Sequence, residues 1–214
     1  MKKILIPIIT FCVCFAVIWS WTNAFSSFTV FSYTLKEAGD TPRYFPDIKF
    51  INQNANVFDL KDKHKYVLMN FVYLNCPSVC HKVNNQLEEI YHLLDTSIVP
   101  SKLEFVTVSF DLKNDNLEKI EKYRDFFGDS IPGWAFALPY QTNEVQFRNF
   151  LKDIGIWAEE APQTGIINHS IYLFLISPEN KIIKTFDPAR ENNQQIINKL
   201  YQCIQEKPEL SSIR

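Results

Sequence analysis

The longest apolar stretch of the chain comes first. After Met1-Lys2-Lys3 no charged residue occurs until Lys36, and residues 4–31 are almost wholly apolar or small. At about 1.5 Å per residue that run is long enough to cross a hydrocarbon core of about 30 Å. The two lysines ahead of it belong on the cytoplasmic side, so the remainder of the chain is expected on the outer, periplasmic face of the inner membrane. Thr22-Asn23-Ala24 is a passable cleavage site, but the apolar run continues through Phe25, Phe28 and Phe31. Residues 1–34 are therefore read as a membrane anchor or signal segment, with the retained anchor preferred. Cys12 and Cys14 lie within it as membrane-facing filler.

Residues 35–47, LKEAGDTPRYFPD, read as a polar, proline-containing linker. Beyond it the pattern changes to short apolar runs alternating with helical periods. Tyr66–Leu74, Leu103–Phe110 and Ser170–Ser177 are continuous apolar runs of strand length, as strands buried on both faces require. The third passes through Pro178-Glu179-Asn180 into KIIKTF, which predicts a hairpin. Helical spacing occupies Val79–Leu94, with apolar residues at 83, 87, 90, 91 and 94, then Leu117–Phe127, Glu144–Ile154 and Gln194–Ile204. This succession predicts one α/β domain over residues 48–214, a thioredoxin-like sandwich with a central mixed sheet and flanking helices.

Charge and cysteine usage narrow the chemistry. Without Lys2 and Lys3 the outer part carries 20 basic against 24 acidic residues, a net charge of −4, which argues against a nucleic-acid partner. Its three cysteines are Cys76, Cys80 and Cys203. Cys203 falls in the apolar pattern of the last helix and is expected to pack as a small hydrophobe. Cys76 and Cys80 stand where the first apolar run enters a helix. Inside a regular helix their Cβ atoms would be about 5–6 Å apart, whereas a disulfide needs about 3.5–4.5 Å. One of them must leave the helix. Pro77 suits the first helical position, which puts Cys76 at the cap, where the helix N-terminus favours a thiolate. Such a pair can form a reversible disulfide or supply two soft ligands to a metal. An inert bridge would close only a five-residue ring and constrain the unfolded chain little.

Four histidines could supply a third ligand. His64 and His92 read as surface residues, and His81, next to Cys80, as exposed. His169 directly precedes the third apolar run, at the place where thioredoxins carry a cis-proline facing the cysteine motif, and is the candidate.

On FVYLNCPSVC (71–80), VTVSFD (106–111), YRDFFG (123–128) and NHSIYLFLISPENKI (168–182) the chain resembles the Sco (SenC) family of membrane-anchored copper chaperones for cytochrome c oxidase assembly, over residues 48–205. The resemblance implies that Cys76, Cys80 and His169 bind copper, as Cu(I) or Cu(II), with Asp111 close behind them. It implies delivery to the CuA-bearing subunit of the oxidase, with a thiol reductant protein as second partner, because a Cys76–Cys80 disulfide cannot take copper. Two thiolates and an imidazole suit three-coordinate Cu(I), whereas structural zinc wants a fourth protein ligand. Position 81 is His where the family usually has Pro, position 168 is Asn where an acidic residue is common, and Leu112 replaces a usual proline. The alternative function is a membrane-anchored thiol–disulfide oxidoreductase using Cys76 and Cys80 as its redox pair. A thiol peroxidase is disfavoured, because Met69 and Tyr73 occupy the places of the Pro and Thr it needs.

Overall fold

The computed structural model describes residues 2–22, 29–76, 79–128 and 131–205, without the side chains of 2–5 and 79–81. Its helices are α1 (Lys2–Trp21), α2 (Val30–Glu37), α3 (Val79–Leu93), α4 (Leu117–Asp125), α5 (Glu144–Asp153) and α6 (Asn193–Gln205). Its strands are β1 (Arg43–Tyr44), β2 (Lys49–Asn52), β3 (Val57–Asp59), β4 (Tyr66–Val72), β5 (Leu103–Ser109), β6 (Trp134–Pro139), β7 (Ala158–Glu160), β8 (Ile167–His169), β9 (Leu173–Ile176) and β10 (Lys181–Phe186).

Eight strands form one mixed sheet in the order β1-β10-β9-β4-β5-β6-β2-β3, and β7 with β8 make a separate hairpin. β4, β5 and β6 are parallel, and every other pairing is antiparallel. The continuous apolar runs are explained by helices on both faces. From β4, Val67, Met69 and Phe71 point to a core shared with Phe147, Phe150 and Leu151 of α5. Leu68 points the other way, to a second core with Leu87 and Ile90 of α3, Ile120 of α4 and Ile196 and Leu200 of α6. Fully burying each such side chain contributes about 1.5–3 kcal/mol, so a polar residue on either face needs partners. Asn70 and Thr107 on the α3 face have them. Trp134 Nε1–H donates to Thr107 Oγ1 (3.0 Å), Thr107 to Asn70 Oδ1 (2.7 Å) and Asn70 Nδ2 to Asn84 Oδ1 of α3 (2.9 Å). Asn84 Nδ2 then donates to Tyr123 Oη of α4.

The thioredoxin-like fold expected from the sequence is present, with differences at particular elements. The apolar run at 170–177 is a strand only over Leu173–Ile176, because Ser170 instead pairs with Trp157: its N–H donates to Trp157 O (2.9 Å). The expected hairpin forms, with Asn180 in the left-handed region (φ 58°) at its turn. β6 is a strand that the hydrophobic pattern does not announce. Gly133 leads into it with φ +80°, and a Cβ there would come within 2.5 Å of Pro100 Cβ, so glycine is required at that crossing.

Residues 35–47 are built into the fold. Leu35 and Ala38 lie against Gly155 (φ +89°), whose missing Cβ would fall 2.9 Å from Leu35 Cα; Arg43 and Tyr44 pair with β10; Phe45 is buried. α2 is started by a capping box between Thr29 and Ser32. Among the described residues no helix is long and apolar enough to cross a membrane; the side chains of α1 are described from Ile6 on, and they leave Ile6, Phe11, Phe15 and Trp21 exposed.

Candidate metal centre

Cys76 and Asp111 follow the carboxyl ends of β4 and β5, where open α/β sheets place their sites. β4 releases the chain at Val72, Phe110 N–H donates back to Val72 O (2.9 Å), and the following turn is closed by Cys76 N–H donating to Tyr73 O (3.2 Å). Cys76 is 7% exposed and belongs to the α5-side core. Cys76 therefore does not present an open thiol at the surface: Tyr73 and Phe110, packed on each other at 5.6 Å, belong to the same buried cluster. The expected role of Pro77 as first helical residue lies outside the described residues. Cys80 is in the first turn of α3, and its side chain, like that of His81, is also outside them.

His169 reaches this loop from the other side. It closes β8, held in register with Ala158 of β7, and its ring packs against Phe110 (4.8 Å) and edge-on to Tyr73 (5.9 Å). His169 Nδ1 lies 2.8 Å from Ser170 O. A carbonyl can only accept, so Nδ1 carries the proton, and in the neutral ring the lone pair is on Nε2. Burial lowers the imidazole pKa, against the opposing effect of the Ser170 hydrogen bond. The hydrogen bond thus sets the tautomer a metal ligand needs, and burial disfavours the charged form that could not bind a metal.

Asp111 is buried just past β5, but its carboxylate is engaged by Asn114, whose backbone and side-chain N–H groups donate to it at 2.9–3.1 Å. It lines a cleft of about 80 Å³ with Lys113, Arg148 and Glu160 over a floor of Phe110, Phe147 and Ile167. His64 and His92 are exposed, as expected. Cys203 is half-buried against the α3-side core, in keeping with a packing role. Among the described residues no group of three or more His, Cys, Asp or Glu is arranged to hold a metal ion.

One residue escaped the sequence reading. Asp115 is buried, accepts the Leu74 N–H (3.1 Å) and the Ser109 hydroxyl (2.5 Å), and so ties the cysteine loop to the end of β5. Its only local signal is a second acid four residues after Asp111.

A family model described as SCO1/SenC matches residues 36–205. The chain belongs to the SCO1/SenC family. It is 22% identical over 133 residues to the Protein SCO2 homolog, mitochondrial, of Danio rerio; the match covers 60% of this chain and 46% of that protein, so it spans about half of the relative's length. Among solved structures, BsSco, a member of the Sco family of cytochrome c oxidase assembly proteins in which a disulfide switch was identified, superposes with a TM-score of 0.65 at 19% identity, covering 79% of this chain and 98% of BsSco. Arabidopsis thaliana ScoI with copper bound superposes with a TM-score of 0.64 at 15% identity, covering 77% of this chain and all of that one. The mixed sheet and its flanking helices are thus those of the Sco fold.

Proposed function

We propose that this SCO1/SenC protein is a copper metallochaperone that holds copper through Cys76 Sγ, Cys80 Sγ and His169 Nε2 and passes it to the CuA-bearing subunit of cytochrome c oxidase. The observation that carries the reading is the setting of His169: its Nδ1–H donates to Ser170 O, which leaves Nε2 as the ligand atom, and its ring lies against Tyr73, three residues before Cys76. The donor set fits the cargo. Two thiolates and one imidazole are soft and intermediate ligands, suited to Cu(I) and able to take Cu(II). Because copper needs both sulfurs, a Cys76–Cys80 disulfide must first accept two electrons from a partner dithiol, which leaves oxidised as its own disulfide. The copper-bound state of the Arabidopsis relative supports the cargo, and the oxidase-assembly role of the BsSco family supports the destination.

In this reading the apolar segment over residues 1–34, with Lys2 and Lys3 ahead of it, is the inner-membrane anchor, and the domain works on the outer face. A general thiol–disulfide reductase is the weaker reading, because such an enzyme offers an accessible thiolate to its substrate and Cys76 is buried.

Copper titration of the reduced full-length protein tests the proposal. One Cu(I) per chain is expected, with affinity falling at least tenfold in C76S and in H169A and changing little in H81A. No retained copper in the reduced protein, together with insulin-disulfide reduction as fast as by thioredoxin, would move the assignment to the reductase.

A further inference from the structure

We propose that Asp115 is a positioning residue for the metal centre: by holding the Leu74 amide it sets where Cys76 stands relative to His169. Leu74 is past the end of the β4 ladder, so its N–H has no strand partner, and the acceptor it finds is Asp115 Oδ2 at 3.1 Å. The same oxygen takes the Ser109 hydroxyl at 2.5 Å, and Ser109 Oγ in turn accepts the Asp111 N–H at 3.3 Å. The carboxylate therefore joins the exits of β4 and β5. Leu74 lies inside the turn that runs from Tyr73, whose ring abuts His169, to Cys76, so one hydrogen bond bears on both ligands.

The arrangement is costly for a purely structural tie. Asp115 is 7% exposed, and its Oδ1 is buried with no hydrogen-bond partner among the described residues, although buried polar atoms are as a rule paired. Burial raises its pKa, opposed by the Ser109 and Leu74 hydrogen bonds, and the neighbouring Asp111 adds to the rise while Lys119 of α4 offsets it. A neutral turn residue would avoid that desolvation. Groups that orient the ligands of a metal typically change its affinity by 10–100-fold when removed.

The inference rests on the metal-binding reading above, and its test has an arm that needs no metal. In the full-length protein, D115A is compared with D115N, whose side-chain oxygen still accepts the Leu74 N–H, and with L200A, a core truncation on α6. Cu(I) affinity is read by chelator competition, and the Leu74 amide by hydrogen exchange. D115A is expected to weaken copper by about 10–100-fold and to speed exchange at Leu74. D115N should stay close to wild type, and L200A should lose stability while keeping its affinity. Wild-type affinity in D115A, an equal loss in L200A, or unchanged exchange at Leu74 overturns the proposal. If the wild-type protein takes no copper, the metal reading falls by itself. The Cys76–Cys80 thiol–disulfide equilibrium is then compared in the same variants, and a shift in D115A no larger than in L200A overturns the positioning role as well. Should D115A not fold, S109A, which removes the hydroxyl that clamps the carboxylate, is held to the same comparisons.

Discussion

Asn84 is where the fold and the site are most directly joined, and N84A is the sharpest test of how they are joined. The residue sits on α3 one turn beyond Cys80, is fully buried, accepts from Asn70 Nδ2 at 2.9 Å and donates to Tyr123 Oη. Truncation removes two buried hydrogen bonds and leaves Asn70 Nδ2–H to find a new partner between β4 and α4, while Tyr123 Oη loses the Asn84 donor. The stranded amide costs about 1–3 kcal/mol and the second lost hydrogen bond about 0.5–1.5 kcal/mol, so the expected loss is about 1.5–4.5 kcal/mol, a large share of the roughly 5–15 kcal/mol of a typical domain. For a domain of this size that corresponds to a fall in Tm of roughly 3–18 °C. Urea denaturation should show a lower midpoint with an unchanged slope. The cycle with Y123F separates the pair: a coupling of about 0.5–3 kcal/mol is expected for residues sharing one network. A loss under about 0.5 kcal/mol in N84A, or additivity with Y123F, would refute the claim that this chain of side chains seats α3 on the sheet.

G133A combines a left-handed φ with a clash against Pro100 and should cost at least about 2 kcal/mol; an equal urea midpoint would contradict it. For His169 the lowered pKa means that the unfolded chain binds the proton more readily. Its contribution to stability is present above the ordinary value near 6.5 and is lost as pH falls from there towards the folded value. Between about pH 7 and 5, the apo-protein of H169Q should therefore lose less stability than wild type, and equal slopes in urea titrations at each pH would exclude the effect. C203A should lower stability by about 1 kcal/mol or less, since Cys203 is half-buried, and leave copper binding unchanged; a copper loss in chelator competition would give that cysteine a role at the site.

What the sequence determined by itself was local. The apolar runs over β4 and β5 and the turn Pro178–Asn180 are written in a few adjacent residues, because a strand buried on both faces cannot tolerate unpaired polar side chains and a left-handed turn favours a residue like Asn180. The pairing of Cys76 with Cys80 as candidates, and the choice of His169 over His64 and His92, came from position within those elements and from motif resemblance. Tertiary structure decided the rest. β6 carries only a short apolar run between Gly133 and Pro139, and becomes a strand because β5 and β2 offer it ladders on both sides. Residues 35–47 read as a linker by composition, yet are held by Gly155, β10 and the core around Phe45. The burial of Cys76, the Nδ1–H tautomer of His169 and the hold of Asp115 on Leu74 depend on how strand ends and loops meet. Those contacts join residues 41 positions apart for Leu74 and Asp115, and no spacing along the chain records them.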